Sequence, residues 1–187
     1  MIDAARISFR PVTRDDLPLL GRWMETAHWR QWWGEAETEL GQIRDMVEGR
    51  DTTRPFLFLL DDRPAGYIQI WYVGDHLCEP FLTQAPWMRN VPADSVGVDL
   101  SIGEAADLSR GLGSAALGAF VRRLVAEGHD SIIIDPDAAN ARAVRAYEKA
   151  GFRPFLVSPD PGGNAAQATL IMTFAGNDAA PSHRTQA

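Results

Sequence analysis

The stretch Arg110-Gly111-Leu112-Gly113-Ser114 joins an alternating run of residues to an apolar helical pattern. Two glycines at such a turn let the main chain approach a ligand closely. The helix start behind them presents unpaired N–H groups at the positive end of the dipole. That chemistry suits a pyrophosphate and needs no lysine. The Gly-Lys-Ser/Thr ending of a Walker loop is absent, as is the third glycine of a dinucleotide fingerprint. By itself the segment reads equally well as a plain helix-start turn. Further along, Asn140-x-x-Ala143-x-x-x-Tyr147-x-x-x-Gly151 sets Asn140, Ala143, Val144 and Tyr147 on one helix face. Asp99 stands on the less apolar side of Ser95–Ile102, and Asp135 ends a short apolar run. A carboxylate can orient an amine or take its proton. Trp32 and Trp33 can wall a sugar ring, face a cation, or simply pack in the core.

Elements in the order β-α-α-β-β-β-α-β-α-β-β must position these residues. Ile7 and Phe9 alternate in a first strand over 6–12, and Thr13, Asp15 and Asp16 give helix-start chemistry. Thr38 is placed to cap a second helix running towards Gly49. Pro55–Leu60 and Gly66–Val73 flank a turn loop at 61–65. The segment 74–94 is irregular and carries Asp75, Glu79, Trp87 and Asp94. Helices follow over 111–127 and 139–150, the second ended by Gly151. Between them Ser131–Ile134 has the wholly apolar composition of a buried parallel strand. Two more strands, at 152–157 and 168–174, complete a mixed sheet with a β-α-β crossover at its centre, in the α+β class. A single domain over 1–175 and a flexible tail over 176–187 are expected.

The chain has 187 residues, 45% hydrophobic and 23% charged, as an ordinary globular protein has. Acidic residues number 25 and basic residues 18, for a net charge of −7. That balance argues against nucleic-acid binding, which needs basic phosphate contacts, and favours a cationic partner. No apolar run is long enough to span a membrane. The start lacks a charged-then-apolar leader, so a cytoplasmic protein is expected. A lone cysteine, Cys78, excludes a disulfide framework. The histidines show no metal spacing, and no metal is expected.

Taken together, the Arg-Gly-x-Gly loop and the Asn140–Tyr147 helix resemble the Gcn5-related N-acetyltransferase (GNAT) superfamily. The resemblance implies a mostly antiparallel sheet whose central strands, Ser95–Gly103 and Ser131–Asp135, splay around the pantetheine arm of acetyl coenzyme A. Arg110, Gly111, Leu112, Gly113 and Ser114 would then hold the pyrophosphate. Leu108 stands where the family usually has Gln or Arg, a departure that mainly main-chain contacts should tolerate. Trp32-Trp33-Gly34, Gly66-Tyr67-x-Gln69, Gly97-Val98-Asp99, Asp135-Pro136 and Tyr147-Glu148-Lys149-Ala150-Gly151-Phe152 are similar to aminoglycoside 6′-N-acetyltransferases. This likeness runs from about Arg6 to Phe174 and fails in 74–94, where the family carries its acceptor loop.

On that likeness Asp99 is the amine-orienting carboxylate and general base, and Tyr147 the proton donor to the departing thiolate. Asn140 would hold the pantetheine arm or the loop. A freed N–H at Leu100 or Ser101 would polarise the thioester. Trp32, Trp33, Asp135, Trp87 and Asp75 would line the acceptor side, with Asp135 read as readily as a strand end. The implied reaction is direct acetyl transfer to a primary amine of a small polycationic aminoglycoside, by a monomer or homodimer. Three alternatives stay open. A siderophore-type N-acyltransferase would pair a histidine with the carboxylate, and none is near Asp99 in sequence. A protein or peptide amine acetyltransferase would want an open groove. A coenzyme A sensor would not need Asp99 and Tyr147 together.

Overall fold

The computed structural model describes residues 2–159 and 168–174; the C-terminal stretch expected as a tail lies outside them. Seven strands form one sheet in the order β1-β2-β3-β4-β5-β7-β6. They are β1 Ile7–Pro11, β2 Arg54–Leu60, β3 Arg63–Tyr72, β4 Val96–Ile102, β5 Ile132–Ile134, β6 Phe152–Ser158 and β7 Thr169–Phe174. Every neighbouring pair is antiparallel except β4 and β5. That parallel pair holds only through Val96↔Ile132 and Gly97↔Ile133, after which the strands part. The mixed sheet with a central β-α-β crossover is thus the architecture the sequence pattern predicts, and the splayed, mostly antiparallel pairing is what the GNAT resemblance implies.

Helix α5, Leu112–Ala126, crosses from β4 to β5. It buries Leu117, Phe120 and Val121 against Phe56, Phe58, Ile68, Ile70 and Val98. On the opposite face α1 (Leu17–Met24), α2 (Ala27–Arg30) and α3 (Ala36–Val47) cover Leu57 and Tyr67. Side chains alternate along a strand, so β2 and β3 feed both layers. Helix α6, Ala141–Ala150, begins at Asn140, whose side chain caps the Ala143 N–H at 3.1 Å. It ends at Gly151 in the left-handed region, where a side chain would press on Phe174 at 2.9 Å.

Three local expectations change. The β2–β3 loop is two residues, not five: Leu60 pairs with Arg63, and Asp61 and Asp62 both take positive φ. Asp tolerates that conformation better than most residues, and a tight primed turn matches the strand twist. Helix α3 starts at Ala36 rather than at a Thr38 cap, because Gly34 turns the chain at φ +123 and Glu35 extends it. The segment 74–94 holds a short helix, α4 (Phe81–Gln84), and a 3-10 turn, Pro86–Asn90. It buries Trp87, Met88 and Val91 against Trp71, Ile133 and Ile171.

Among the described residues no helix is long and apolar enough to cross a membrane. The entry to α1 is fixed by Asp16, which is only 8% exposed. Its carboxylate accepts two hydrogen bonds from Arg10 at 2.7 Å, and others from the Thr13 N–H and hydroxyl at 2.8 and 2.9 Å. Arg10 chiefly, then Thr13, hold its pKa down to about 2 against the cost of burial. A lowered carboxylate pKa stabilises the fold above the ordinary carboxylate range and loses that effect as pH falls towards 2. Asp16→Ala should cost about 2 kcal/mol in urea unfolding at pH 7. Its deficit should shrink as unfolding is repeated at progressively lower pH.

Candidate active site

The parting of β4 from β5 decides which main-chain groups are free. Val73 N–H donates to Ser95 C=O at 3.0 Å, and Gly103 N–H to Ala65 C=O at 2.9 Å. Odd-numbered residues of β4 therefore bond towards β3, and even-numbered ones turn towards β5. Val96 uses its N–H on the Ser131 carbonyl. Leu100 has no strand on that side. Of the two candidates for a freed N–H, then, Leu100 faces the opening, while Ser101 lines the cleft with its main chain turned to β3. The Ile102 carbonyl accepts from His28 Nε2 at 2.9 Å and Trp29 Nε1 at 2.8 Å. A carbonyl only accepts, so His28 carries its proton on Nε2. Nδ1 is left buried without a partner among the described residues.

The loop before α5 meets this opening. Ser109 and Gly111 take positive φ. The first helical bond runs from Ala115 N–H to Gly111 C=O at 3.1 Å. The N–H groups of Leu112, Gly113 and Ser114 therefore have no acceptor within the helix. A Cβ at Gly111 would meet open space, and one at Gly113 only Leu100 and Ile102 side chains at 3.7 Å. Leu112 buries its side chain in the core at 2% exposure and can offer a ligand only main chain. Arg110 is exposed, 3.7 Å from Asp107, and its side chain is outside the cleft lining.

Together these elements enclose a cleft of about 550 Å³. Carboxylates Glu39 from α3, Asp99 from β4 and Asp135 after β5 line it. So do Arg142, Arg145 and Lys149 from α6, with Tyr147 and Asn140. Asp99 Oδ2 accepts from Gln69 Nε2 at 2.8 Å, and Gln69 Oε1 accepts from the Tyr67 hydroxyl at 2.6 Å. Burial pushes the Asp99 carboxyl up, opposed by Gln69, the Trp71 indole and the charge on His76. Burial and then the Asp99 charge push Asp135 well above the ordinary carboxylate range. The Tyr147 hydroxyl is raised by burial, then by Asp99 and Asp135. No protein group among the described residues bonds that hydroxyl.

The family model for the acetyltransferase (GNAT) domain matches residues 12–156. The chain belongs to the GNAT acetyltransferase family. It is an N-acetyltransferase. The chain is 30% identical over 156 residues to an aminoglycoside N(6′)-acetyltransferase type 1 from Klebsiella pneumoniae, covering 78% of this chain and 73% of that one. A solved structure of AAC(6′)-Ib with paromomycin and acetyl-CoA superimposes with a TM-score of 0.75 at 27% identity, covering 97% and 99%. Another, with coenzyme A and kanamycin, gives 0.73 at 27% identity, covering 89% and 93%.

Within this GNAT fold Trp32, Trp33, Asp99, Leu100, Ser101, Gly111, Gly113, Ser114, Asp135, Asn140 and Tyr147 converge on one cleft. Two expected rim residues do not. Trp87 is 4% exposed and packs at 6.3 Å from Trp71, because the 74–94 segment folds onto the sheet. Asp75 is exposed, accepts from Thr52 Oγ1 at 2.7 Å and lies outside the lining. Sequence reasoning missed Glu39, His28 and the α6 cations. Only the spacing of Arg142, Arg145 and Lys149 with Asn140 and Tyr147 could have signalled the last.

An acid with a raised folded pKa destabilises the native state as pH rises through that window, since the native form holds its proton longer. Asp135→Asn should therefore raise the melting temperature at pH 8. The gain should vanish below the ordinary carboxylate range, where both forms are neutral; calorimetric scans across pH test this.

Proposed function

We propose that the chain transfers acetyl from acetyl-CoA to the 6′ amine of a polycationic aminoglycoside, by direct attack in a ternary complex. One observation carries the reading: carboxylates with no salt-bridge partner among the described residues and unpaired main-chain N–H groups line the same cleft, where β4 leaves β5. The first suit ammonium groups, the second suit phosphates. The names of the relatives and the complexes of AAC(6′)-Ib support the same pair of substrates.

The residues fit acetyl-CoA on the structure's own terms. Gly111 and Gly113 leave room beside the first turn of α5: a Cβ at Gly111 meets nothing within 4 Å, and one at Gly113 only the Leu100 and Ile102 side chains at 3.7 Å. The donor supplies an acetyl thioester. Gly111, Gly113 and Ser114 hold the pyrophosphate through main chain, with Leu112 giving its N–H alone. Asn140 spends Oδ1 on its helix cap and keeps its NH₂ for the pantetheine arm. The Leu100 N–H meets the thioester oxygen, and Arg142, Arg145 and Lys149 balance the remaining phosphate charge.

On the acceptor side Asp99 binds the ammonium and takes its proton. An amine of about lysine's basicity is mostly protonated at pH 7, so that proton must leave before nitrogen attacks carbon. Burial of Asp99 makes it a stronger base than a free aspartate. Gln69, held by Tyr67, keeps one carboxylate oxygen engaged and leaves the other for the substrate. As the new C–N bond forms and the C–S bond breaks, the Tyr147 hydroxyl supports the departing sulfur. Its raised pKa keeps it protonated for that purpose. Trp32 and Trp33 flank the sugar, and Asp135 meets a further ammonium. A second reading, acyl transfer to a hydroxylated amine, draws on one observation: the fold brings His28 into the cleft and His76 within electrostatic reach of Asp99.

Thiol release from acetyl-CoA with kanamycin, a lysine peptide and an N-hydroxylysine analogue tests the reading. Release with kanamycin alone is the expected result; release with the hydroxylamine alone would replace it by the second reading. Asp99→Asn should lower kcat/KM for the amine at least tenfold and abolish the acidic limb of its pH profile, with coenzyme affinity unchanged. Gly113→Val should fold normally and lose at least tenfold in coenzyme A affinity by calorimetry, because its branched side chain takes the space beside Leu100 and Ile102.

A further inference from the structure

We propose that Glu39 is a specificity-determining residue, its carboxylate binding a second ammonium of a polycationic acceptor while Asp99 holds the amine that reacts. The proposal rests on the acetyl-transfer reading above and concerns the acceptor side of the same cleft.

Glu39 comes from the first turn of α3 and reaches the cleft beside the Trp32-Trp33-Gly34 turn. The approach is close: a side chain at Gly34 would stand 3.2 Å from Glu39 Oε1. Several surface carboxylates of this chain are matched by arginine, as Asp45, Asp61 and Glu127 are. Glu39 is half-buried, and its carboxylate has neither a salt bridge nor a hydrogen bond among the described residues. It also lies within electrostatic reach of Asp99, a like charge. An unpaired carboxylate brought near another at a cleft wall costs free energy that nothing in the fold returns. A cation entering the cleft returns it.

The neighbouring aromatic rings point the same way. Trp33 is locked by Trp29 at 5.0 Å and by Tyr67 edge-on at 5.6 Å. Trp32 lines the cleft without a ring partner among the described residues, leaving its face for a ligand. A carboxylate beside an indole face is a setting for an ammonium group. A monoamine would satisfy Asp99 and leave Glu39 unpaired; only an acceptor with two or more ammonium groups engages both.

The test measures calorimetric binding and steady-state turnover of two acceptors, kanamycin and 6-amino-6-deoxyglucose, with wild type and Glu39→Gln. Glu39→Gln should keep or raise the melting temperature, since it removes an unpaired charge. It should weaken kanamycin binding about fivefold and raise its KM similarly, with kcat within about twofold, the upper scale of a partly exposed ion pair. Binding of the monoamine should change less than about twofold, and Glu39→Asp should recover part of the kanamycin affinity. Unchanged kanamycin binding, or equal losses for both acceptors, would overturn the proposal. If wild type binds kanamycin with this Glu39 dependence but turns over neither acceptor, the assignment of Glu39 stands and the acetyl-transfer reading fails.

Discussion

A parallel pair of strands that separates after two residues is the constraint on which the site depends. A sheet normally satisfies its main-chain groups strand by strand. Here β5 is three residues long and leaves β4 just before Asp99. The unpaired edge must be resolved in another way. At Ile102 the fold uses side chains, and both His28 and Trp29 donate to its carbonyl. At Leu100 it leaves the N–H open to a cleft. The start of α5 lies across that opening with its own unpaired N–H groups, so two sets of donors meet a single cavity. Neither set is a cost once an acyl donor rich in carbonyl and phosphate oxygens occupies it.

Charge follows a parallel logic. Several acids of the surface, among them Asp45, Asp61 and Glu127, are paired with arginines, and the burial of Asp16 is offset by four hydrogen bonds. In the cleft Asp99 has one amide partner, and its charge adds to the cost of ionising both Glu39 and Asp135. Such an arrangement weakens the fold at neutral pH and readies the site for a cation. The α6 cations stand in the same cleft without neutralising these acids among the described residues. Anionic and cationic walls kept apart in one cavity match two substrates of opposite charge, which is the requirement for bringing an amine to a coenzyme thioester.

How much of this was legible in sequence depends on how local each determinant is. The α5 loop, the Asn140 cap and the Gly151 stop are set by residues within a turn or two, and reading them needed no tertiary knowledge. The alternation of Ser95–Ile102 gave the face of Asp99 for the same reason. Glu39 was not legible. Its sequence surroundings are those of an ordinary solvated helix, and it becomes a cleft residue only because α3 packs over Tyr67 and Leu57. Trp87 was misplaced for the converse reason. An aromatic in an irregular, Pro-rich stretch suggests a rim, but contacts with Trp71, Ile133 and Ile171, distant in sequence, draw it into a core.

That third core explains why an irregular segment belongs beside a catalytic strand. Gly97 lies opposite Trp71 in the β3–β4 ladder, and a Cβ there would overlap the indole at 2.0 Å. Its absence lets the ring lie across β4, where the indole helps to hold the Asp99 charge. Trp71 is in turn wedged by Trp87 at 6.3 Å and by His76 at 5.3 Å. The 74–94 segment therefore acts on Asp99 through the packing of these rings. Its sequence can vary, provided it still supplies rings to brace that indole, because the Asp99 carboxylate depends on the brace.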